Sequence, residues 1–252
     1  MMIALHYVRS VIFIVQMYLA MLVAGAVFLP WAVVSRQGAY SAVRFYSRYV
    51  RWSLRLICGL QSEVRGTVPT GEVVIASKHQ SFLDIIMIVS VVDRPKFIMK
   101  NSLRYMPILG WYALRIGCVP VRRGHRAEAI HAMMDAVHDG NAPAGQLIIF
   151  PQGTRVAPGA VLPYKVGALV IYEETGQSCV PVAANVGLFW PRQGMLRRPG
   201  LAIIEFLAPI PPGLDRARFR ATLEQVIESR SNALMLEGGF AANELSAIDR
   251  GA

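Results

Sequence analysis

Cysteine is scarce in this chain and poorly placed for chemistry. Cys58, Cys118 and Cys179 make an odd number and share no short spacing. That argues against a disulfide framework and a zinc site, points to a reducing compartment, and leaves all three as small buried hydrophobes. No Gly-x-Ser-x-Gly elbow occurs, which argues against a serine lipid hydrolase. Homeodomain, zinc-finger and aromatic RNA-binding signatures are absent too, so the positive charge is not assigned to nucleic acid. There is no internal repeat and no low-complexity stretch. Charge itself is thin, at 17% of residues against about 25% in average soluble chains. Apolar residues reach 54%, a shift that places part of the chain in lipid rather than water. The 26 Lys and Arg outnumber 16 Asp and Glu, and a net charge of +10 suits anionic lipid or a phosphorylated substrate. At 252 residues the chain is long enough for one catalytic domain with an appendage.

The longest uncharged run lies near the amino terminus. Between Ser10 and Ser35 no residue carries charge and most are apolar. As a helix rising about 1.5 Å per residue, the run exceeds the roughly 30 Å hydrocarbon core of a bilayer. It is too long for a signal-peptide core and has no clear small-residue cleavage site before Arg36. The segment is therefore expected to span or embed. From Gly38 to Leu60 the pattern changes. Arg44, Arg48, Arg51 and Arg55 recur at spacings of four, three and four, on one helix face opposite Tyr46, Val50, Leu54 and Ile57. This predicts an amphipathic helix whose arginine stripe meets an anionic membrane surface. Only Arg9 precedes the uncharged run closely, whereas Arg36 and the stripe follow it. The excess of cations after the segment places the catalytic part on the cytoplasmic side of the inner membrane.

Beyond residue 65, short β-rich runs alternate with helix-like segments. Strands are expected at 72–77, 96–99, 118–121, 146–150, 180–186 and 202–207, and helices at 82–91, 126–139, 165–174 and 215–228. That alternation predicts an α/β domain with a helix-covered sheet. The chain divides into membrane-associating helices over 1–60, a catalytic domain over 61–240 and a flexible tail over 241–252.

Two stretches carry chemistry. His79-Gln80-Ser81-Phe82-Leu83-Asp84 follows an apolar strand and opens a helix. A carboxylate five positions after a histidine can fold back onto Nδ1–H, fix the tautomer and leave Nε2 as a base. Alternatively, Asp84 only faces the helix dipole. Phe150-Pro151-Gln152-Gly153-Thr154-Arg155 also leaves an apolar strand. Gly153 permits close ligand approach, Thr154 adds a hydroxyl, and Arg155 offers a planar fork for phosphate. An ordinary turn with a surface arginine would read the same way. Two more stretches accompany them: Gly117 to Arg123, a strand ending in adjacent arginines, and Val180-Pro181-Val182-Ala183, whose proline suggests an edge or a strand start.

In this order and spacing the four stretches resemble the glycerolipid acyltransferases, and within them the 1-acyl-sn-glycerol-3-phosphate acyltransferases. The His-x4-Asp block matches at His79 and Asp84, and the glycine-to-arginine block at Gly117 and Arg123. Phe-Pro-Glu-Gly-Thr-Arg matches at five of six positions from Phe150 to Arg155, and Val-Pro-Val at Val180 to Val182. Lys100 and the stretch Tyr164-Lys165-x-Gly167-Ala168 extend the likeness. The resemblance implies a mixed sheet flanked by helices, with His79 and Asp84 catalytic. His79 would act as general base for attack of the sn-2 hydroxyl of a 1-acyl-glycerol-3-phosphate on an acyl thioester, giving phosphatidic acid. Arg155, Arg123 and Lys100 would hold the acceptor phosphate, with Gln152, Gly153 and Thr154 as the acceptor loop. The implied partners are a lysophospholipid, acyl-CoA or acyl carrier protein as donor, and an anionic membrane. No cofactor, metal or nucleic acid is expected. One position departs from the pattern. Gln152 stands where the family has glutamate, keeping a hydrogen-bond acceptor and the shape while losing the charge. A loop-orienting role would survive that exchange and a proton-transfer role would not. The other readings are transfer to a different lyso-lipid, such as an amino-acid lipid, and non-catalytic lipid binding.

Overall fold

The computed structural model describes residues 2–121 and 144–245. Arg123 and the helix expected at 126–139 lie outside the described residues, as does the end of the tail beyond residue 245. The amino terminus is a helical hairpin, α1 (Met2–Val34) and α2 (Arg36–Cys58). Ser35 joins them in extended conformation, and its hydroxyl accepts the Gln37 N–H at 3.2 Å as the cap of α2. Gly38 makes the reversal possible, since a Cβ there would stand 2.6 Å from the Ala32 nitrogen. The second helix then runs back along the first. The Tyr49 hydroxyl donates to Gln16 Oε1 at 2.7 Å, and the Gln16 amide donates to Ser53 Oγ at 3.0 Å. At its end Gly59 takes a left-handed φ of 69° and donates to the Arg55 carbonyl.

Three of the four arginines of the α2 stripe are engaged within the protein, and Arg55 is exposed. Arg44 donates to the carbonyls of Val92 and Asp93, Arg48 to that of Ser90, and Arg51 to Ser62 and to the Ser90 hydroxyl. These three serve the carboxyl end of α3 (Leu83–Val89), where helical carbonyls have run out of donors and attract cations. A different face of α2 is exposed and apolar: Phe45, Trp52 and Leu56, at helical spacing. It continues onto α1, where Leu19, Leu22, Val23 and Val27 are exposed. The hairpin therefore presents one broad apolar surface outward. Only 22% of the apolar window of α1 is buried, unlike a helix in a soluble core. With an apolar helix this exposed, the chain is membrane-associated.

The rest is a seven-stranded sheet in the order β1-β7-β6-β2-β5-β3-β4. The strands are β1 (Leu60–Arg65), β2 (Val74–Ser77), β3 (Pro95–Lys100), β4 (Val119–Val121), β5 (Gln146–Ile149), β6 (Cys179–Ala184) and β7 (Gly200–Phe206). Every neighbouring pair is parallel except β6–β7, so the sheet is mixed. The polar sequence of β1 hides it from periodicity, and it forms as an edge beside β7. Pro181 corrects another expectation: it lies on an interior strand. Its neighbour Val182 opens the β7 ladder opposite Phe206, while Cys179 bridges to Ile210. Pro181 falls in the gap between them, where its carbonyl accepts from Leu207 N–H and no donor is required of it.

Alternation on the central strands divides the core. Ile75 and Ile148 point toward the hairpin and α3, joining Phe13, Leu54, Leu83 and Met87. Val74, Ala76, Leu147 and Ile149 point the other way, against α5 (Val166–Thr175) and α6 (Arg216–Glu237), meeting Leu169, Phe219, Leu223 and Ile227. This last helix continues past 228 because Leu234 and Met235 still find a buried face. Ala242–Glu244 forms a short 3-10 turn.

Candidate active site

The strand-to-helix turn after β2 places His79 above the carboxyl ends of the parallel strands. Asp84 opens α3, fully buried, and its Oδ2 accepts the backbone N–H groups of Gln80 and Ser81 at 2.9 Å each. Those bonds aim the carboxylate back along the turn, where its oxygens stand 3.0 and 3.1 Å from His79 Nδ1. A buried carboxylate with these donors only accepts, so Nδ1 carries the proton and Nε2 is left with its lone pair. The imidazole stacks on Phe150 at 3.9 Å, 19° from parallel. That contact binds the histidine to the second block, as does the Val156 N–H donating to the His79 carbonyl at 2.7 Å.

The two blocks open into one cavity of about 780 Å³, within the range of ligand pockets. Its polar and charged lining includes His79, Thr154, Arg155, Lys100 and Lys165. Its apolar lining includes Phe82, Val89, Met99 and Tyr112, with Met21, Ala24 and Gly25 of α1. The roof is fastened there by α4 (Leu109–Arg115): the Tyr112 hydroxyl donates to the Gly25 carbonyl at 2.8 Å, and Arg115 donates to the Ala32 and Val33 carbonyls. Cys118 also lines the cavity, but burial pushes its thiol up to about 12, so it offers no thiolate.

Of the expected site residues, the structure brings together His79, Asp84, Gly153, Thr154, Arg155 and Lys100. Lys165, read only as part of the resemblance, joins the cations, and its Nζ packs beside Gly153. Gln152 does not face the cavity. It is buried, and its amide nitrogen donates toward the Leu162 carbonyl at 3.4 Å and Glu228 Oε1 at 3.3 Å. Glu228 also accepts from Lys78 Nζ and from the Tyr164 hydroxyl, the latter at 2.9 Å. Burial lowers the Lys78 ammonium from its ordinary range, against the pull of Glu228, and both burial and Glu228 raise the Tyr164 phenol. Glu228 and Lys78 were missed from sequence. The available signal was a lysine set between the apolar strand at 73–76 and His79, a place that demands a buried anion. Among the described residues no group of three or more His, Cys, Asp and Glu is placed to hold a metal ion.

A histidine–carboxylate pair on a strand-to-helix turn, opening into a largely apolar cavity that three cations also line, is a geometry suited to group transfer on an amphipathic substrate. Residues 61–185 match the acyltransferase family model, which makes this stretch an acyltransferase-family domain. It is 27% identical to a 1-acyl-sn-glycerol-3-phosphate acyltransferase of Pseudomonas aeruginosa over 160 residues, 63% of this chain and 62% of that protein. It is 30% identical to a protein of the same name from Saccharomyces cerevisiae over 164 residues, 62% of this chain and 54% of the yeast protein. The matched stretch thus spans less than two thirds of either relative. The crystal structure of a 1-acyl-sn-glycerophosphate acyltransferase from Thermotoga maritima shares the fold, with a TM-score of 0.74 at 21% identity over 90% of this chain and 97% of that one.

Proposed function

We propose that the protein transfers a fatty acyl group from an acyl thioester to the sn-2 hydroxyl of 1-acyl-glycerol-3-phosphate, giving phosphatidic acid. The observation that carries the reading is the His79–Asp84 pair opening into an apolar cavity that Arg155, Lys165 and Lys100 also line. An alcohol is a poor nucleophile until its proton is removed. His79 Nε2 takes that proton as the oxygen attacks the thioester carbonyl, and Asp84 stabilises the resulting imidazolium. The proton then leaves with the thiolate as free thiol, and no acyl-enzyme forms. Arg155 and Lys165, with Lys100 and Arg123, bind the acceptor phosphate, and the acyl chain lies in the cavity beneath α1. The donor is acyl-CoA or acyl carrier protein, with no cofactor or metal. The apolar face of the hairpin embeds in the inner membrane, and the cations after α1 favour a cytoplasmic position for the site. The acceptor names of the relatives support lysophosphatidate over an amino-acid lipid. The test offers lysophosphatidate and a phosphate-free lyso-lipid, with radiolabelled acyl-CoA, to the purified protein in vesicles. Label is expected in phosphatidic acid with the wild type and not with His79→Ala. Label entering only a phosphate-free lyso-lipid would overturn the acceptor.

A further inference from the structure

Beneath the catalytic turn lies a buried cluster that the acyl-transfer steps leave unused. It consists of Lys78, Gln152, Tyr164 and Glu228, each 5% exposed or less. Each partner of the Glu228 carboxylate belongs to a different cavity-lining segment. Lys78 directly precedes His79, Gln152 lies in the Arg155 loop, and Tyr164 directly precedes Lys165. The Lys165 N–H in turn donates to the Pro151 carbonyl at 2.9 Å. One carboxylate on α6 therefore holds the base and two of the substrate cations in register.

The hydrogen-bond directions fix what residue 152 has to be. Its two neighbours, the Leu162 carbonyl and Glu228 Oε1, both accept. The side chain must donate, and an amide does so where an ionised carboxylate cannot. A glutamate here would also set two carboxylates side by side against one lysine, out of water, and one of them would have to hold a proton.

We propose that Glu228 is a positioning carboxylate for the active site, and that Lys78, Gln152 and Glu228 form one coupled unit whose single negative charge sits on the carboxyl-terminal helix rather than in the Arg155 loop. The glutamine is then a requirement of this chain and no sign of decay. Restoring the family glutamate at 152 harms the protein, and moving the charge removes the clash of two carboxylates, though not the lost donor to the Leu162 carbonyl, and so repairs it in part.

The experiment compares full-length wild type, Gln152→Glu, Glu228→Gln and the double exchange Gln152→Glu/Glu228→Gln, in detergent and in vesicles. The charged and titratable groups facing Glu228 are Lys78 and Tyr164 on the packed segments, with Glu224 on its own helix. Gln152→Glu is expected to lower kcat/KM about tenfold or more at neutral pH and the melting temperature by about 5 °C or more. The added carboxylate binds a proton in the folded state, so the deficit in melting temperature grows as pH rises from about 5 to about 8. For the same reason the ratio of variant to wild-type kcat/KM recovers on the acid side. Glu228→Gln strands Lys78 and also loses activity. The double exchange keeps one carboxylate, one amide and one lysine, so its losses fall well short of the sum of the two single losses. Additive losses, or a Gln152→Glu protein with wild-type activity and a pH-independent melting temperature, overturn the proposal. If neither single variant folds, recovery of folded protein by the double supports the proposal and failure to recover sinks it. The melting-temperature arm needs no substrate, so it stands even where the lysophosphatidate reading, on which the kinetic arm rests, fails.

Discussion

At the scale of single residues the site separates into groups that act and groups that hold. His79→Ala is expected to abolish transfer while vesicle binding persists, because only the base is lost. Asp84→Asn keeps a residual activity, since the imidazole loses orientation and charge support together. Both are read as turnover of purified protein with lysophosphatidate. Arg155→Ala is expected to raise KM for lysophosphatidate more than KM for the thioester, costing about 1.5–3 kcal/mol as a charge-assisted bond is lost. A rise confined to the thioester KM would move Arg155 to the donor side. The His79–Asp84 contact was legible in the sequence because its geometry is local: five positions and one helical turn bring Asp84 under His79. The holding residues were not. Glu228 stands 150 positions from Lys78, and a lone glutamate on an otherwise ordinary helix does not announce its partner. The same limit applies to Gln152, whose amide donates to Leu162 and Glu228, partners that its sequence neighbourhood does not reveal.

Secondary-structure elements were legible where burial is two-sided and lost where it is not. The interior strands β2 and β5 are nearly continuous apolar runs and stand where expected, whereas edge strand β1 mixes polar and apolar residues and was passed over. Helix α2 teaches a related lesson. Its arginine spacing established that four cations share a face, but a helical wheel cannot say what that face meets. Here Arg44, Arg48 and Arg51 meet the end of α3 and β1, while Arg55 stays exposed. Arg51→Ala should therefore lower stability by about 1.5–3 kcal/mol through lost charge-assisted bonds, measured by thermal unfolding, with vesicle binding intact. Changing both Phe45 and Trp52 to Glu should do the opposite, weakening co-sedimentation with neutral and anionic vesicles alike while the melting temperature holds. Equal binding by the double variant would show that another surface contacts lipid.

For the whole molecule, the hairpin belongs to the reaction chamber as much as to the membrane. Gly25 has no room for a side chain, since a Cβ would stand 2.6 Å from Ile108 Cγ2 at the cavity wall. Gly25→Leu should push bulk into the cavity, and each methylene excluded there forfeits about 0.8 kcal/mol of burial. Among thioesters of graded length, kcat/KM should shift toward shorter chains, and an unchanged profile would place the acyl chain elsewhere.

Within two turns of α1, Met21, Ala24 and Gly25 line that chamber while Leu22, Val23 and Val27 look outward. A single helix's thickness thus separates the cavity from the apolar outer surface. If that surface embeds in lipid as proposed, an acceptor lipid has only to move sideways to arrive, and its product only sideways to leave. Encounters become events in a plane, governed by how crowded that plane is with acceptor. Diluting vesicles in buffer at fixed composition should leave the rate per enzyme unchanged, whereas diluting the acceptor with inert phospholipid at the same bulk concentration should slow it in proportion.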